Sequence, residues 1–250
     1  MRLVVLIVSF WGITSLINCI HLGETDGSSL STSPHLFHSN SPPVLSDDDI
    51  SIPPELRMHK IGEQFFDIHA PLDFDVLRAN IELGDKRGFW IVDQEEEKMD
   101  FLNAELRFQS PKVNWYIQED LESDREQWLT VIESFEASIF QPMVERFGED
   151  EFLDAESITI LYAELYGVAG YFRSADRYTK MLNPFSNEES MIYINASVSP
   201  VGTSEFFSTL SHELQHLIHY KSDPTEETWV NEGLSGLAEF LVGYPPESWE

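Results

Sequence analysis

Apolar residues recur at the spacing of an amphipathic helix in three parts of the chain. The first repeat runs through Trp128, Val131 and Phe135, and Gly148 follows where such a helix would end. A polar loop containing Pro224 separates the two later repeats. The pattern therefore predicts three helices, at residues 123–147, 203–220 and 228–242.

Short runs of aromatic and β-branched residues, separated by turn signals, predict strands. Four runs precede the first helix, at 64–69, 87–93, 101–109 and 112–118, and predict a small antiparallel β module. Two further runs follow that helix, at 157–165 and 190–197, with a glycine-rich turn through Gly167 and Gly170 between them. Strands grouped ahead of helices favour an α+β fold.

The first residues have the form of an export signal, because the basic Arg2 precedes an apolar run over 3–17. Cys19 follows that run, and residues 16–19 resemble the lipobox of bacterial lipoproteins, with Asn18 where a small residue is usual. Two other interpretations stay open, a cleaved signal with an incidental cysteine and an uncleaved anchor helix. We expect an exported protein, extracellular or lipid-anchored in a bacterial envelope, with no other membrane contact.

Changes in amino-acid composition divide the chain into three further segments after the signal. Residues 20–56 are rich in Ser, Pro and Asp without an apolar period, which predicts a flexible tether between the signal, 1–19, and the folded part. The β-rich module then occupies 57–120, and a second domain, which contains the motifs described below, occupies 121–250. Hydrophobic residues make up 42% of the 250 positions, which is enough to bury a core.

The charge balance is strongly acidic. Against 44 Asp and Glu stand 15 Lys and Arg, giving a formal charge of −29, which excludes nucleic acid as an electrostatic partner. The acidity fits either a hydrated, soluble surface or a preference for cations. Cys19 is the only cysteine of the sequence, so an internal disulfide is excluded.

The sequence His212-Glu213-Leu214-Gln215-His216 is an H-E-x-x-H motif on a predicted helix. Residues four apart lie on one helical face, so both imidazoles can reach one ion. Glu213 lies beside that face, where a general base belongs rather than a ligand. The residues predicted to pack on the opposite face are apolar: Phe206, Phe207, Leu210, Leu214, Leu217 and Ile218.

A second carboxylate follows on the last helix, in the sequence Asn231-Glu232-Gly233-Leu234-Ser235. The apolar residues on the side opposite Glu232 are predicted to face the core: Leu234, Leu237, Ala238 and Leu241. Two histidines and one glutamate, with a fourth position open, are the ligand set of a catalytic zinc site. Glu239 returns to the face of Glu232 and either hydrogen-bonds a ligand histidine or is a solvated helix residue.

H-E-x-x-H followed by N-E-G-x-S resembles the gluzincin zinc metallopeptidases, most closely the hyicolysin-type extracellular bacterial peptidases. The resemblance covers roughly residues 157–244. It implies a zincin-like domain in which His212, His216 and Glu232 bind one Zn²⁺ and Glu213 is the catalytic base. The implied activity is zinc-dependent endopeptidase cleavage of protein or peptide substrates by metal-activated water.

The same resemblance implies that the strand before the metal helix pairs with substrate backbone, which points to Asn195 and Ala196 as substrate-binding residues. Thermolysin-like members carry Asp where this chain has Gly236, whereas aminopeptidase-like members carry a glutamate at the position of Glu239. Gluzincins usually continue into a further helical subdomain, so we expect the domain to be truncated at Glu250.

The sequence also contains weaker candidate residues and is open to one rival function. His219 points near His212, but we expect a satisfied or solvated histidine there. Tyr171, Tyr193 and Tyr220 are candidates for stabilising an oxyanion or, alternatively, interface aromatics. The rival function is a non-catalytic surface lipoprotein that binds a partner or cations. Intact Glu213 favours the enzyme, since zinc binding alone does not need it.

Overall fold

One six-stranded sheet runs through the part of the chain that the computed structural model describes, residues 81–148, 157–224 and 226–245. Its strands are β1 Lys86–Asp93, β2 Lys98–Gln109, β3 Val113–Gln118, β4 Ile158–Ala163, β5 Gly170–Phe172 and β6 Met191–Asn195. The export signal, Cys19, the tether and the predicted strand at 64–69 lie outside the described residues.

The sheet is mixed, with strand order β1-β2-β3-β4-β6-β5. The β1/β2, β2/β3 and β5/β6 pairs are antiparallel, whereas β3/β4 and β4/β6 are parallel. The described chain is therefore a mixed α/β structure with a sheet rich in antiparallel pairs, which is compatible with the α+β class.

The strands predicted as a separate module share this sheet with the later strands. Trp115 on β3 is in register with Ile160 on β4, so the ladder crosses the predicted division at 120/121 without interruption. Among the described residues, β1 to β3 are thus the antiparallel half of a larger sheet. The division into two domains stays a prediction.

Four α-helices and a π-helical segment accompany the described strands. The predicted helix at 123–147 consists of α1, Arg125–Phe135, a π-helical segment, Glu136–Phe140, and α2, Gln141–Phe147. Asp124 caps α1 by accepting from the backbone N–H of Glu126. The last two helices are α3, Ser204–Ser222, and α4, Thr228–Val242, both close to their predicted bounds. No helix in the described ranges combines the length and apolarity needed to cross a membrane.

Helix α3 packs as its sequence pattern predicts. The six apolar residues expected on its inner face are all buried: Phe206, Phe207, Leu210, Leu214, Leu217 and Ile218. They join one hydrophobic cluster with Trp115, Ile160 and Ile194 of the sheet and with Trp128 of α1. This packing fixes the helix that carries both motif histidines against one face of the sheet.

Helix α4 agrees with its predicted orientation only in part. Ala238 is buried as predicted, but Leu237 and Leu241 are each 42% exposed, whereas Glu239 is 6% exposed. The physical reason is that α4 packs on α3, and its polar side chains meet those of α3 between the two helices. The apolar side of α4, which includes Trp229 and Phe240, consequently faces outward in the described structure.

The predicted turn at Gly170 is also corrected, because Gly170–Phe172 forms strand β5 at the end of the sheet. A Cβ added to Gly170 would lie 2.5 Å from Thr209 Cγ2 and 2.7 Å from the carbonyl oxygen of Tyr193. Only glycine therefore allows α3 to approach β5 this closely.

Candidate metal centre

Three side chains predicted as ligands come together between α3 and α4. Nε2 of His212 lies 3.4 Å from Oε2 of Glu232, and Nε2 of His216 lies 3.7 Å from Oε1 of the same carboxylate. The three ligand atoms all lie within 4.8 Å of one another. The carboxylate side chain is 31% exposed, so the group opens to solvent on one side.

The geometry of this group is compatible with a zinc ion. Ligand bonds of about 2.1 Å require neighbouring ligand atoms about 3.4 Å apart. The separations of 3.4 and 3.7 Å involve different oxygens of Glu232, and one atom from each of the three residues lies within 4.8 Å of the others. Two neutral imidazoles and one carboxylate are also a donor set that zinc accepts. The three residues leave one tetrahedral position free.

His212 is oriented by a carboxylate behind it. Oε1 of Glu239 lies 2.8 Å from Nδ1 of His212, which leaves Nε2 directed at Glu232. The other oxygen of Glu239 accepts a hydrogen bond from the hydroxyl of Ser208, one turn earlier on α3. Glu239 is therefore a contact of His212 in the described structure, and its role as partner of a ligand histidine stays a prediction.

The Nδ1 side of His216 has neutral neighbours. Oδ1 of Asn231 lies 3.1 Å from Nδ1 of His216, and Oγ of Ser235 lies at the same distance of 3.1 Å. The Ser235 hydroxyl donates to Oε1 of Gln215 over 2.6 Å. Asn231 and Glu232 are consecutive residues of α4, so one helical turn supplies both the carboxylate and the support of a histidine.

Glu213 lies beside the three residues without joining them. Its side chain is buried, 7% exposed, and lies against β5, because a Cβ added to Gly170 would be 3.3 Å from Cγ of Glu213. Burial raises the pKa of Glu213 to about 7, although the nearby His212 opposes the increase. A carboxyl group with a pKa near neutrality is suited to both accepting and returning a proton.

The two histidines differ in charge in the metal-free site. Burial opposes the charged form of His212, but hydrogen bonds to Glu232 and Glu239 outweigh it and raise the pKa of His212 to about 10. Burial and the positive charge of His212 lower the pKa of His216 to about 4. At neutral pH the first imidazole is therefore protonated and the second is neutral.

The strand expected to pair with substrate has no free edge. Strand β6 pairs with β4 on one side and with β5 on the other. The backbone N–H of Asn195 donates to the carbonyl of Ala169, and that of Ala196 donates to the carbonyl of Ala163. The Asn195 side chain bonds the backbone of Leu165 in both directions. The described contacts of both residues thus hold the sheet and its connecting loop together.

The remaining candidates are described by their own contacts. Tyr171 stacks on Tyr193 with ring centroids 4.1 Å apart, and both rings are buried beneath the sheet edge. The hydroxyl of Tyr220 lies 3.1 Å from that of Tyr178. His219 does not belong to the group of ligand atoms within 4.8 Å.

Sequence reasoning gave no role to Ser208, Gln215, Asn231 or Ser235, although all four contact the histidines or their partners. Asn231 and Ser235 belong to the N-E-G-x-S motif, and that was the available signal. Ser208 and Gln215 have none, because their contacts depend on how α4 crosses α3.

Comparisons with known proteins agree with a metal-dependent hydrolase. No family model matches the chain. The chain is similar to the neutral metalloprotease ShpI of Staphylococcus hyicus, with 24% identity over 191 residues. The similar region covers 67% of this chain and 42% of ShpI, so the chain spans less than half of that relative's length. This distant similarity suggests a metallopeptidase family and, with the His/Glu group, a metal cofactor.

Proposed function

We propose that this chain is a zinc-dependent endopeptidase of the gluzincin kind with a zincin-like catalytic domain. The observation that carries the proposal is the placement of a buried, proton-accepting Glu213 beside a group of three ligand atoms that fits zinc. The distant similarity to a neutral metalloprotease supports the same reaction class.

The proposed ligands are His212, His216 and Glu232. Zinc bound there would supply a Lewis acid for the scissile carbonyl and lower the pKa of water at the open position. The imidazoles contribute Nε2, because their Nδ1 atoms face Glu239 and Asn231. The described contacts thus hold each ring so that its second nitrogen faces the proposed ion.

Glu213 is the proposed general base and acid. Its carboxylate takes a proton from the attacking water and returns it to the leaving amine. Burial keeps the proton affinity of this carboxylate high enough for the first transfer. The side chain of Glu213 lies against β5, the terminal strand of the described sheet.

The proposed path for a peptide backbone is along β5. The sequence pointed to Asn195 and Ala196, but both belong to a strand and loop whose hydrogen bonds are used within the fold. Strand β5 is the terminal strand of the described sheet, and it contacts both α3 and Glu213. A substrate strand added there would bring its carbonyl groups past Glu213.

The test is metal analysis together with proteolysis by the same purified chain. We expect about one zinc per chain and cleavage of unfolded casein that a chelator abolishes and added zinc restores. Zinc binding without any cleavage would favour the rival function, a surface lipoprotein that binds cations. Absence of zinc binding would refute the proposed metal centre.

A further inference from the structure

Two fully buried polar side chains meet beside His216 and have no role in the proposed chemistry. Ser235 on α4 and Gln215 on α3 are both 0% exposed, and the serine hydroxyl donates to the glutamine oxygen over 2.6 Å. Burying polar groups between helices is costly unless they are paired, and an apolar contact would serve packing as well. Their position against a proposed ligand therefore suggests a function beyond packing.

The distances to the imidazole define where the hydroxyl lies. Oγ of Ser235 is 3.1 Å from Nδ1 and 3.4 Å from Nε2 of His216. An acceptor in line with the Nδ1–H bond would be much farther from Nε2, because the two nitrogens point to different sides of the ring. The hydroxyl oxygen consequently lies over the face of the ring, and Oδ1 of Asn231 is the partner left for the Nδ1 proton.

The hydroxyl proton of Ser235 determines how the serine oxygen is held against His216. A serine has one proton to donate, and here it is directed to Gln215. Without that acceptor, the hydroxyl could rotate about the Cα–Cβ bond of Ser235 and leave the face of the His216 ring. Gln215 thus holds the serine oxygen against the imidazole that is proposed to bind zinc.

We propose that Ser235 and Gln215 form a positioning pair for His216. Ser235 limits the tilt of the imidazole by contact with its face, and Gln215 anchors the serine hydroxyl there by accepting its proton. The pair is neutral, so it orients the ring without adding a further carboxylate to a site that already contains Glu213, Glu232 and Glu239. This inference rests on the proposed function, because it assumes that His216 binds zinc.

The experiment is a double-mutant cycle on zinc affinity, measured by competition with a chromophoric chelator. The variants are Ser235→Ala, Gln215→Leu and the two combined, in the 250-residue chain. We expect each single change to weaken zinc binding about 10-fold or more. The combined variant should bind like Ser235→Ala alone, because Gln215 acts only through the serine. The d–d absorption of bound Co²⁺ should change with the ring tilt.

A matched control separates positioning from stability. Ser186 is also 0% exposed and donates over 2.6 Å to the carbonyl of Tyr178, away from the metal group. Ser186→Ala should lower thermal stability yet keep the parent zinc affinity. The combined variant Ser235→Ala/Gln215→Leu removes both partners of this hydrogen bond. Neither the buried donor nor the buried acceptor is therefore left unsatisfied. The folding of this variant is checked by circular dichroism.

The possible results are distinguishable. Parent affinity in both single variants overturns the inference and leaves the proposed metal centre intact. Additive losses in the combined variant overturn the coupling of Gln215 to the serine. An equal zinc loss in Ser186→Ala would assign the effect to stability and also overturn the inference. A parent chain that binds no zinc refutes the proposed function first.

Discussion

Glu239 Oε1 lies 2.8 Å from Nδ1 of His212, and this contact joins α4 to α3 directly behind the proposed metal. Glu239→Gln should weaken zinc binding about 10- to 100-fold, because the amide is a poorer partner for the Nδ1 proton. Chelator competition measures the change. Glu205→Gln, an exposed glutamate in the first turn of α3, is the matched control and should bind zinc like the parent.

Glu213 and Glu232 should lose different properties. Glu213→Gln should keep zinc and the fold but lower turnover of unfolded casein about 10²- to 10⁴-fold, because the amide cannot accept a proton. Glu232→Gln should lose zinc first, under mild chelation, because a charged ligand is gone. Near-normal cleavage by zinc-loaded Glu213→Gln, with contaminating protease excluded, would contradict the proposed mechanism.

Gly170 should tolerate no side chain. A Cβ there meets Thr209 Cγ2 and the Tyr193 carbonyl, so Gly170→Ala should destabilise the fold by about 1–3 kcal/mol. The same change displaces β5 from Glu213 and should lower activity further. Gly233→Ala is the control, since no atom lies within 4 Å of its added Cβ and alanine favours a helix interior. Chemical denaturation of both variants measures the difference, and equal stabilities would refute the close approach.

Zinc binding at pH 7 should release about one proton from the histidine pair. With a pKa of about 10, His212 is protonated in the metal-free chain and must lose its proton to bind, whereas His216, with a pKa of about 4, is already neutral. Zinc affinity should therefore rise with pH until about pH 10. Calorimetry in buffers of different ionisation enthalpy measures the release. The Glu213→Gln variant is used, because Glu213 itself titrates near pH 7.

The proposed lipid anchor depends on Cys19, the only cysteine of the sequence. Cys19→Ser should release the exported chain from membranes into the soluble fraction, because no lipid can then be attached. Detergent partitioning of both forms measures this. Unchanged partitioning would favour the anchor-helix interpretation.

The motif residues were predictable because their spacing alone places them. His212 and His216 share a helical face at any H-E-x-x-H, and the apolar residues of α3 mark its opposite side. On α4 the same reasoning was correct for Ala238, which is buried, and wrong for Leu237 and Leu241. The polar residues of α4 face the site between the helices, whereas the pattern was interpreted as that of a helix whose polar residues face solvent. Leu237 was therefore predicted to be buried, and it is exposed.

Local sequence also misjudged the sheet edge. Gly167 and Gly170 were interpreted as a turn, yet Gly170 lies in strand β5. Glycine is present there because α3 approaches the strand closely. The π-helical segment Glu136–Phe140 interrupts a helix that looks continuous in the hydrophobic pattern. Pairing between distant strands, such as β3 with β4, depends on tertiary contacts that periodicity does not encode.

Because α4 has an outward apolar side, the acidic charge affects how strongly chains associate in solution. Trp229 and Phe240 are 73% and 59% exposed on one helix, and surfaces of that kind attract one another in water. A formal charge of −29 opposes such encounters at low ionic strength. Added salt shortens the range of this repulsion to about 10 Å or less, while it leaves the apolar attraction intact. Chains that stay apart in dilute buffer are therefore held apart by charge rather than by a fully polar surface.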